Sequence, residues 1–383
     1  MSIARNVDYL KRLPNISRLM TGQSLAIFDA GPSALNEVSG FGDNPGNLRM
    51  FVHLPSALPN HPALVVVLHG CAQTAAAYDL GAGWSNLADR YGFILLMPQQ
   101  RRRNNPNLCF NWFSPDDVVR DRGEAASIHQ MIEHLSRERK IDRKRVFVTG
   151  LSAGGGMTSA MLAAYPETFA GGAIIAGIPH GVADNLQDAL KAMQKAPHIP
   201  ASELGKRVRS ASAHKGPWPK VSVWHGSADA TVNPINADHI VNQWLNVHGL
   251  PAEPMFEDVV DGHPRQGWWD SEGRTIVESY LITDMTHGTP LHIGGGHAGQ
   301  TGPFMLEAGI SSSYHIAAFW GLTRAAERPS APAESKAVSR AKANGRSQAA
   351  KVARARTNAT DQPQGINNVI TRALTAIGLI KPD

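Results

Sequence analysis

The chain has 383 residues, 42% of them hydrophobic, enough for one sizeable core or two smaller ones. It contains no apolar run of about 18 residues, which excludes a transmembrane helix. The net charge is +5, but residues 325–383 carry ten Lys/Arg against four acids. That tail is +6 and residues 1–324 are −1, so the sequence does not support a nucleic-acid-binding fold.

In chain order, residues 1–23 read as a helical N-terminal extension, because Val7, Leu10, Leu13 and Ile16 fall at helical spacing. This start lacks the continuous apolar core of a secretion signal. The expectation is a cytoplasmic chain, with export as the alternative if a leader is missing or non-standard. From 49 onward, apolar strands alternate with helices: strands at 49–54, 63–68 and 92–98, helices at 84–91 and 121–139. A strand at 145–149 runs into a helix over 153–164, followed by strands at 170–176 and 220–225, a helix at 234–248 and a strand at 274–282. Continuous apolar strands between helices imply an α/β fold, a mostly parallel sheet covered by helices on both faces. Residues 183–218 break the rhythm and are expected to form a helical insertion over one end of the sheet. A catalytic domain is thus expected over 36–324, after an extension over 1–35. Beyond it, 325–365 read as a flexible basic linker and 366–383 as a short amphipathic helix.

The cysteines are Cys71 and Cys109, and neither lies in a CxxC pair, so no cysteine-based zinc site is expected. No metal or cofactor is expected elsewhere. Two free buried thiols are the plain reading in a reducing compartment.

The strand at 145–149 leads into Gly150-Leu151-Ser152-Ala153-Gly154 and then a helix. A glycine-flanked serine between strand and helix is the context that makes Gly-x-Ser-x-Gly chemical. The serine must stand on a sharp turn above the sheet, and its neighbours must be small enough for helix and strand to meet. The alternative is a glycine-rich turn with an incidental serine. A serine nucleophile needs a base, and the base needs an acid to orient it. In an α/β-hydrolase the chain order is Ser, acid, His. Asp229 follows the strand ending in His225-Gly226 and fits the acid, with Asp238 and Asp261 weaker alternatives; it could instead cap the next helix. His287 follows the strand ending near Ile282 and fits the base, ahead of His297 in its glycine-rich loop. His69 and His225, each before a glycine at a strand end, are expected to bond loop backbone. The oxyanion hole needs two backbone N–H groups, and those of Ala153 and Cys71 are placed for it. A chemical role for the Cys71 thiol is a minor alternative. Trp112, Trp218 and the Trp268-Trp269 pair are candidates to bind substrate, or are packing residues.

Several blocks extend this pattern: LHGCAQ at 68–73, NPNLCFNWF at 105–113, GLSAGGGM at 150–157, VWHGSADATVNP at 223–234 and MTHGTP at 285–290. Over about 36–322 the chain resembles the poly(3-hydroxybutyrate) depolymerase family of esterases, which also has feruloyl and acetylxylan esterase relatives. The resemblance implies Ser152 as nucleophile, Asp229 as acid and His287 as base. It also implies a possible disulfide between Cys71 and Cys109, at odds with a cytoplasmic location. The expected function is serine-esterase hydrolysis through an acyl-enzyme, on poly- or oligo(3-hydroxybutyrate)-type polyesters. The alternatives are a feruloyl-, acetyl- or short-chain esterase and, in another class, a non-catalytic binding protein on a hydrolase scaffold. The basic tail raises attachment to an anionic membrane or a polymer granule, against the plainer reading of a solvated linker with a docked helix. The sequence leaves the oligomeric state open.

Overall fold

The computed structural model describes residues 33–295 and 299–323. The helix expected over 1–23, the linker at 325–365, the helix at 366–383 and His297 lie outside the described residues.

Alternate residues of the central strands feed opposite faces of one sheet. On strand β3 (Leu64–Leu68), Leu64, Val66 and Leu68 join one apolar cluster while Val65 and Val67 join another. Both faces are dry, which is why such strands read as unbroken apolar runs in the sequence. The same division runs through β4 (Ile94–Gln99), β5 (Val146–Leu151), β6 (Gly171–Ile175) and β7 (Lys220–Gly226). With β10 (Thr275–Ile282) these strands make a parallel run in the order β4-β3-β5-β6-β7-β10. All six point their carboxyl ends to one edge.

Antiparallel strands extend the sheet at both sides. β1 (Asn36–Val38) and β2 (Arg49–His53) add to β4, and β9 (His263–Trp269) and β8 (Phe256–Val260) add to β10. The β8–β9 ribbon was not expected, because charged and polar residues interrupt its apolar ones and leave no apolar run. A small separate pair, β11 (Thr289–Leu291) and β12 (Met305–Glu307), follows the sheet.

Helices cover the two faces. α1 (Ala75–Ala82), α2 (Trp84–Tyr91) and α9 (Ser312–Phe319) lie on the face of Val65 and Val67, where Trp320 stacks on Phe147 at 4.9 Å and on Trp84 at 6.0 Å. On the other face lie α4 (Gly123–Arg139), α5 (Ala153–Ala164) and α8 (Ile235–His248). A four-residue helix, α3 (Pro115–Val118), precedes α4. Every residue of α5 is buried, so this helix has no polar stripe. Its sequence is rich in glycine and alanine and has no charged residue, as suits a helix packed from all sides. The expected insertion is helical, formed by α6 (Leu186–Lys195) and α7 (Ala201–Ser210).

Candidate active site

Ser152 stands at the carboxyl end of β5 with φ 57° and ψ −115°, a conformation that costs a non-glycine residue on the order of 1–3 kcal/mol. Two backbone bonds hold it there: its N–H donates to Ile175 O at 2.9 Å, and Gly156 N–H donates to its carbonyl at 2.8 Å. The flanking glycines permit the turn. A Cβ on Gly154 would collide with the carbonyl oxygens of Leu68 and His69, and one on Gly150 with the carbonyl of Gly154. The first turn of α5 therefore lies directly on β3, and the serine is half-buried above the sheet edge.

The loops after β7 and β10 are laced together. Ala228 N–H donates to Met285 O at 3.0 Å, Ser227 N–H to Ile282 O at 2.9 Å and Asp284 N–H to Ser227 Oγ at 2.8 Å. Gly226 has no room for a side chain, since its Cβ would meet the carbonyls of Met285 and Thr286. This lacing brings His287 Nδ1 to 2.7 Å from Asp229 Oδ2, both groups buried. Asp229 Oδ1 accepts the amides of Thr231 at 2.8 Å and Val232 at 2.9 Å. Burial pushes the Asp229 carboxyl up, but hydrogen bonds from His225 and His287 outweigh it and hold the group well below the ordinary aspartate range. Asp229 is therefore a carboxylate at neutral pH, and Nδ1 of His287 carries the proton it accepts. His287 Nε2 is left with no hydrogen-bond partner among the described residues.

His69 and His225 bond loop backbone, as their positions suggested. His69 Nδ1 donates to Gly70 O at 2.8 Å and its Nε2 accepts from Gln100 N–H at 3.2 Å. Burial drives its pKa down to about 4, so the ring is neutral. His225 Nε2 lies 2.9 Å from Val232 O and 3.2 Å from Asp229 Oδ2. It is thus a second imidazole on the same carboxylate, a role the sequence reading missed. The signal was the His-Gly-Ser-Ala-Asp spacing, which folds residues 225 and 229 onto one turn.

The loop after β3 presents the Cys71 amide, which has no acceptor among the described residues. Ala153 begins α5, so its N–H has no acceptor within the helix. Cys71 and Cys109 form a disulfide. Ala72 N–H donates to Asn107 O at 2.7 Å, a second tie between the same two loops. Gln73 locks the turn from inside: its Oε1 accepts Gly70 N–H at 2.9 Å and its Nε2 donates to Pro303 O at 3.2 Å. Below this, buried Glu124 accepts from Gln100 Nε2 at 2.5 Å and from the backbone and side-chain N–H groups of Asn111 at 2.9 and 2.8 Å. Burial and nearby Asp117 push the Glu124 carboxyl well above the ordinary glutamate range despite those donors. Neither Gln73 nor Glu124 was singled out from the sequence, where a lone polar residue shows no sign of its burial.

Two of the aromatic candidates are elsewhere. Trp218 precedes β7 and so lies at the amino edge of the sheet, where it meets His214 edge-on at 4.9 Å. Trp268 pairs with Val277, near the start of β10, is buried in the core and donates Nε1–H to Glu253 O at 2.9 Å. Both are packing residues, because the reacting edge is the carboxyl edge. Trp112 is at that edge: its ring lies against Gly156 in the first turn of α5, at 2.7 Å from where a Cβ would sit. A cleft between α6 and α8, lined by Val182, Asp188, Lys191, Ala192, Asn236 and His239, holds none of the Ser152, Asp229 or His287 side chains. Among the described residues, no cluster of three or more His, Cys, Asp or Glu is placed to hold a metal ion.

A parallel sheet with a strained serine after one strand and an Asp–His pair after two others is the arrangement of the α/β-hydrolase fold, and the family match and relatives that follow make the chain a carboxylic ester hydrolase. Residues 48–253 match the model of the family described as Esterase PHB depolymerase, and the chain belongs to that family. It is 45% identical over 301 residues to poly(3-hydroxyalkanoate) depolymerase C of Paucimonas lemoignei, covering 78% of this chain and 72% of that one. It is 34% identical over 263 residues to the acetylxylan esterase of Coprinopsis cinerea, covering 67% of this chain and 69% of that one. Among solved structures, the acetyl xylan esterase from Aspergillus awamori shares the fold, with a TM-score of 0.65 and 23% identity over 76% of this chain and 99% of that one.

Proposed function

We propose that this esterase hydrolyses polyesters or oligoesters of 3-hydroxyalkanoates through an acyl-enzyme on Ser152. The observation that carries the chemistry is the buried Asp229–His287 contact beside the carboxyl edge where Ser152 stands. The 45% identity to a poly(3-hydroxyalkanoate) depolymerase supports the substrate class. In this reading Nε2 of His287 takes the proton of the Ser152 hydroxyl as Oγ attacks the ester carbonyl. The amides of Cys71 and Ala153 donate to the oxyanion. His287 returns the proton to the leaving alcohol, and a water activated by the same nitrogen cleaves the acyl-enzyme. Asp229 stays ionised and stabilises the imidazolium. The Cys71–Cys109 bridge favours an oxidising compartment, the exported alternative, over the cytoplasm.

The test is hydrolysis of p-nitrophenyl esters, hydroxybutyrate oligomers and methyl ferulate by the protein and by Ser152→Ala. Serine-dependent release of soluble hydroxybutyrate from the oligomers is expected. Turnover of only short esters or ferulate would move the substrate to the acetylxylan and feruloyl branch. Oligomer cleavage that survives in Ser152→Ala would overturn the mechanism, and no turnover at all would leave a binding scaffold.

A further inference from the structure

Asp229 and His287 stand on loops, while His225 stands in the sheet. It lies in β7, paired with Leu281 of β10, and alternates with Trp224, so its side chain shares the α8 face with Val221 and Val223. It is 1% exposed. Its Nε2 meets two acceptors, Val232 O at 2.9 Å and Asp229 Oδ2 at 3.2 Å, and therefore carries a proton. Val232 in turn donates its own amide to Asp229 Oδ1 at 2.9 Å. These contacts close a ring that runs from the sheet, through Val232, to both oxygens of one carboxylate.

Asp229 thus faces four donors: the amides of Thr231 and Val232 on Oδ1, and the imidazole nitrogens of His287 and His225 on Oδ2. An ionised carboxylate offers about four lone-pair sites, so all of them are used. Nδ1 of His225 is buried with no hydrogen-bond partner among the described residues, and a buried polar atom left so costs stability. An apolar side chain would fill the same space without that cost, so packing does not explain the imidazole. Resting on the Ser152–His287 mechanism proposed above, we propose that His225 is a positioning residue that acts through Asp229. Its Nε2–H holds Oδ2 toward Nδ1 of His287 and takes a share of the negative charge that would otherwise fall on that one bond. Without this donor the carboxylate can turn, and Nε2 of His287 is aimed less well at Ser152. The charge left on Oδ2 also binds the imidazolium form of His287 more tightly, so the base is freed only at higher pH. The titratable groups that face this pair are Asp229, on the loop after β7, His287, on the loop after β10, and Asp238 in the first turn of α8, whose charge also acts on His225.

The experiment measures kcat and kcat/KM for p-nitrophenyl butyrate from about pH 5 to 9, with melting temperatures, in the full chain and in His225→Leu, His225→Met and His225→Gln. In the Leu and Met variants the acid limb of kcat/KM is expected to move up by about 0.5–1 pH unit, and kcat at the optimum to fall about tenfold with KM little changed. The Gln variant, whose Nε2–H can reach the same acceptors, is expected to keep the parental limb. A lower melting temperature and kcat with an unmoved limb in the Leu or Met variant would mean that His225 only anchors the Val232 loop, and would overturn the proposal. A limb that moves as far in the Gln variant as in the Leu variant would overturn it too. Nitrogen-15 NMR of labelled histidines in the parent, with the Gln variant to assign His225, reads the ring without any loss variant. A proton on Nε2 is expected, and a ring protonated on Nδ1 alone would refute the role. Ser152→Ala in the same assay separates the failures. Parental turnover there removes the nucleophile and this role with it, whereas an inactive Ser152→Ala beside unmoved His225 variants removes this role alone.

Discussion

Asp229 divides the work of its carboxylate between its oxygens: Oδ2 meets Nδ1 of His287 at 2.7 Å and Nε2 of His225 at 3.2 Å, while Oδ1 holds the amides of Thr231 and Val232. The sequence reading set the helix cap and the catalytic acid against each other as alternatives. In the structure one oxygen organises its own loop and the other faces the two histidines, His287 and His225.

That division makes two substitutions separable. In Asp229→Asn the carbonyl oxygen keeps the two loop amides, and the NH2 group then faces His287 Nδ1. The ring must take the tautomer with its proton on Nε2, which cannot accept from Ser152. We expect kcat to fall by about 10⁴, with stability changed by less than about 1 kcal/mol. Asp229→Ala should show a similar kcat and lose roughly 1–3 kcal/mol more, because two loop amides lose their acceptor. Steady-state kinetics and urea melts of both variants check this. An Asn variant keeping a tenth of the parental kcat would refute the assigned role.

The strained backbone at Ser152 predicts an inverted order of stability. In ordinary sites glycine is less stable than alanine by about 0.5–1 kcal/mol. At φ 57° and ψ −115° an alanine keeps the steric penalty and a glycine does not. Ser152→Gly should therefore match or exceed Ser152→Ala in melting temperature, with both inactive. A glycine variant clearly less stable than the alanine variant would mean that the turn is not strained.

The central strands and the placing of Ser152, Asp229 and His287 just past strand ends were legible because each leaves a local mark: an apolar run, a glycine-bracketed serine, a polar residue just past a strand. Helix 84–91 was read with the limits it has in the structure because its apolar residues face one way. Other features were hidden because they depend on contacts distant in sequence. Trp218 and Trp268 look like binding residues in one dimension, and only strand direction and the β9–β10 register place them at the wrong edge. Gln73 reaches Pro303 across 230 residues, a contact no local pattern announces. The edge strand Phe256–Val260 is exposed along its middle, so its composition resembles that of a loop.

The disulfide gives a third prediction. It joins loops 38 residues apart, and by chain entropy its removal costs about 4 kcal/mol. It also braces the residue whose amide is proposed for the oxyanion hole. The Cys71→Ser/Cys109→Ser double variant keeps that amide and loses only the brace. The expected result is a lower melting temperature and a kcat reduced about 10- to 100-fold, with KM changed far less, because a loosened donor is felt in the transition state. Equal losses in kcat and in binding would point to a general collapse of the loop instead.

Glu278 provides a test of buried electrostatics away from the site. It sits in the middle of β10, 2% exposed, where it accepts the Ser222 hydroxyl at 2.8 Å and lies 3.7 Å from Arg265. Burial raises its pKa to about 7; Ser222, Arg265 and Lys220 oppose that rise, and Asp258 adds to it. An acid whose pKa is higher folded than unfolded binds its proton more tightly in the native state. Its contribution is full below the unfolded pKa of 4.5 and is lost as pH rises to about 7. The loss amounts to at most roughly 3 kcal/mol over that window. Glu278→Gln keeps an acceptor for Ser222 and carries no charge at any pH. Its unfolding free energy relative to the parent should therefore climb between pH 4.5 and 7 and be level on either side. Urea midpoints across pH 4 to 8.5 measure this directly. A constant difference across the range would show that Arg265 and Lys220 already hold Glu278 as a carboxylate in the folded protein.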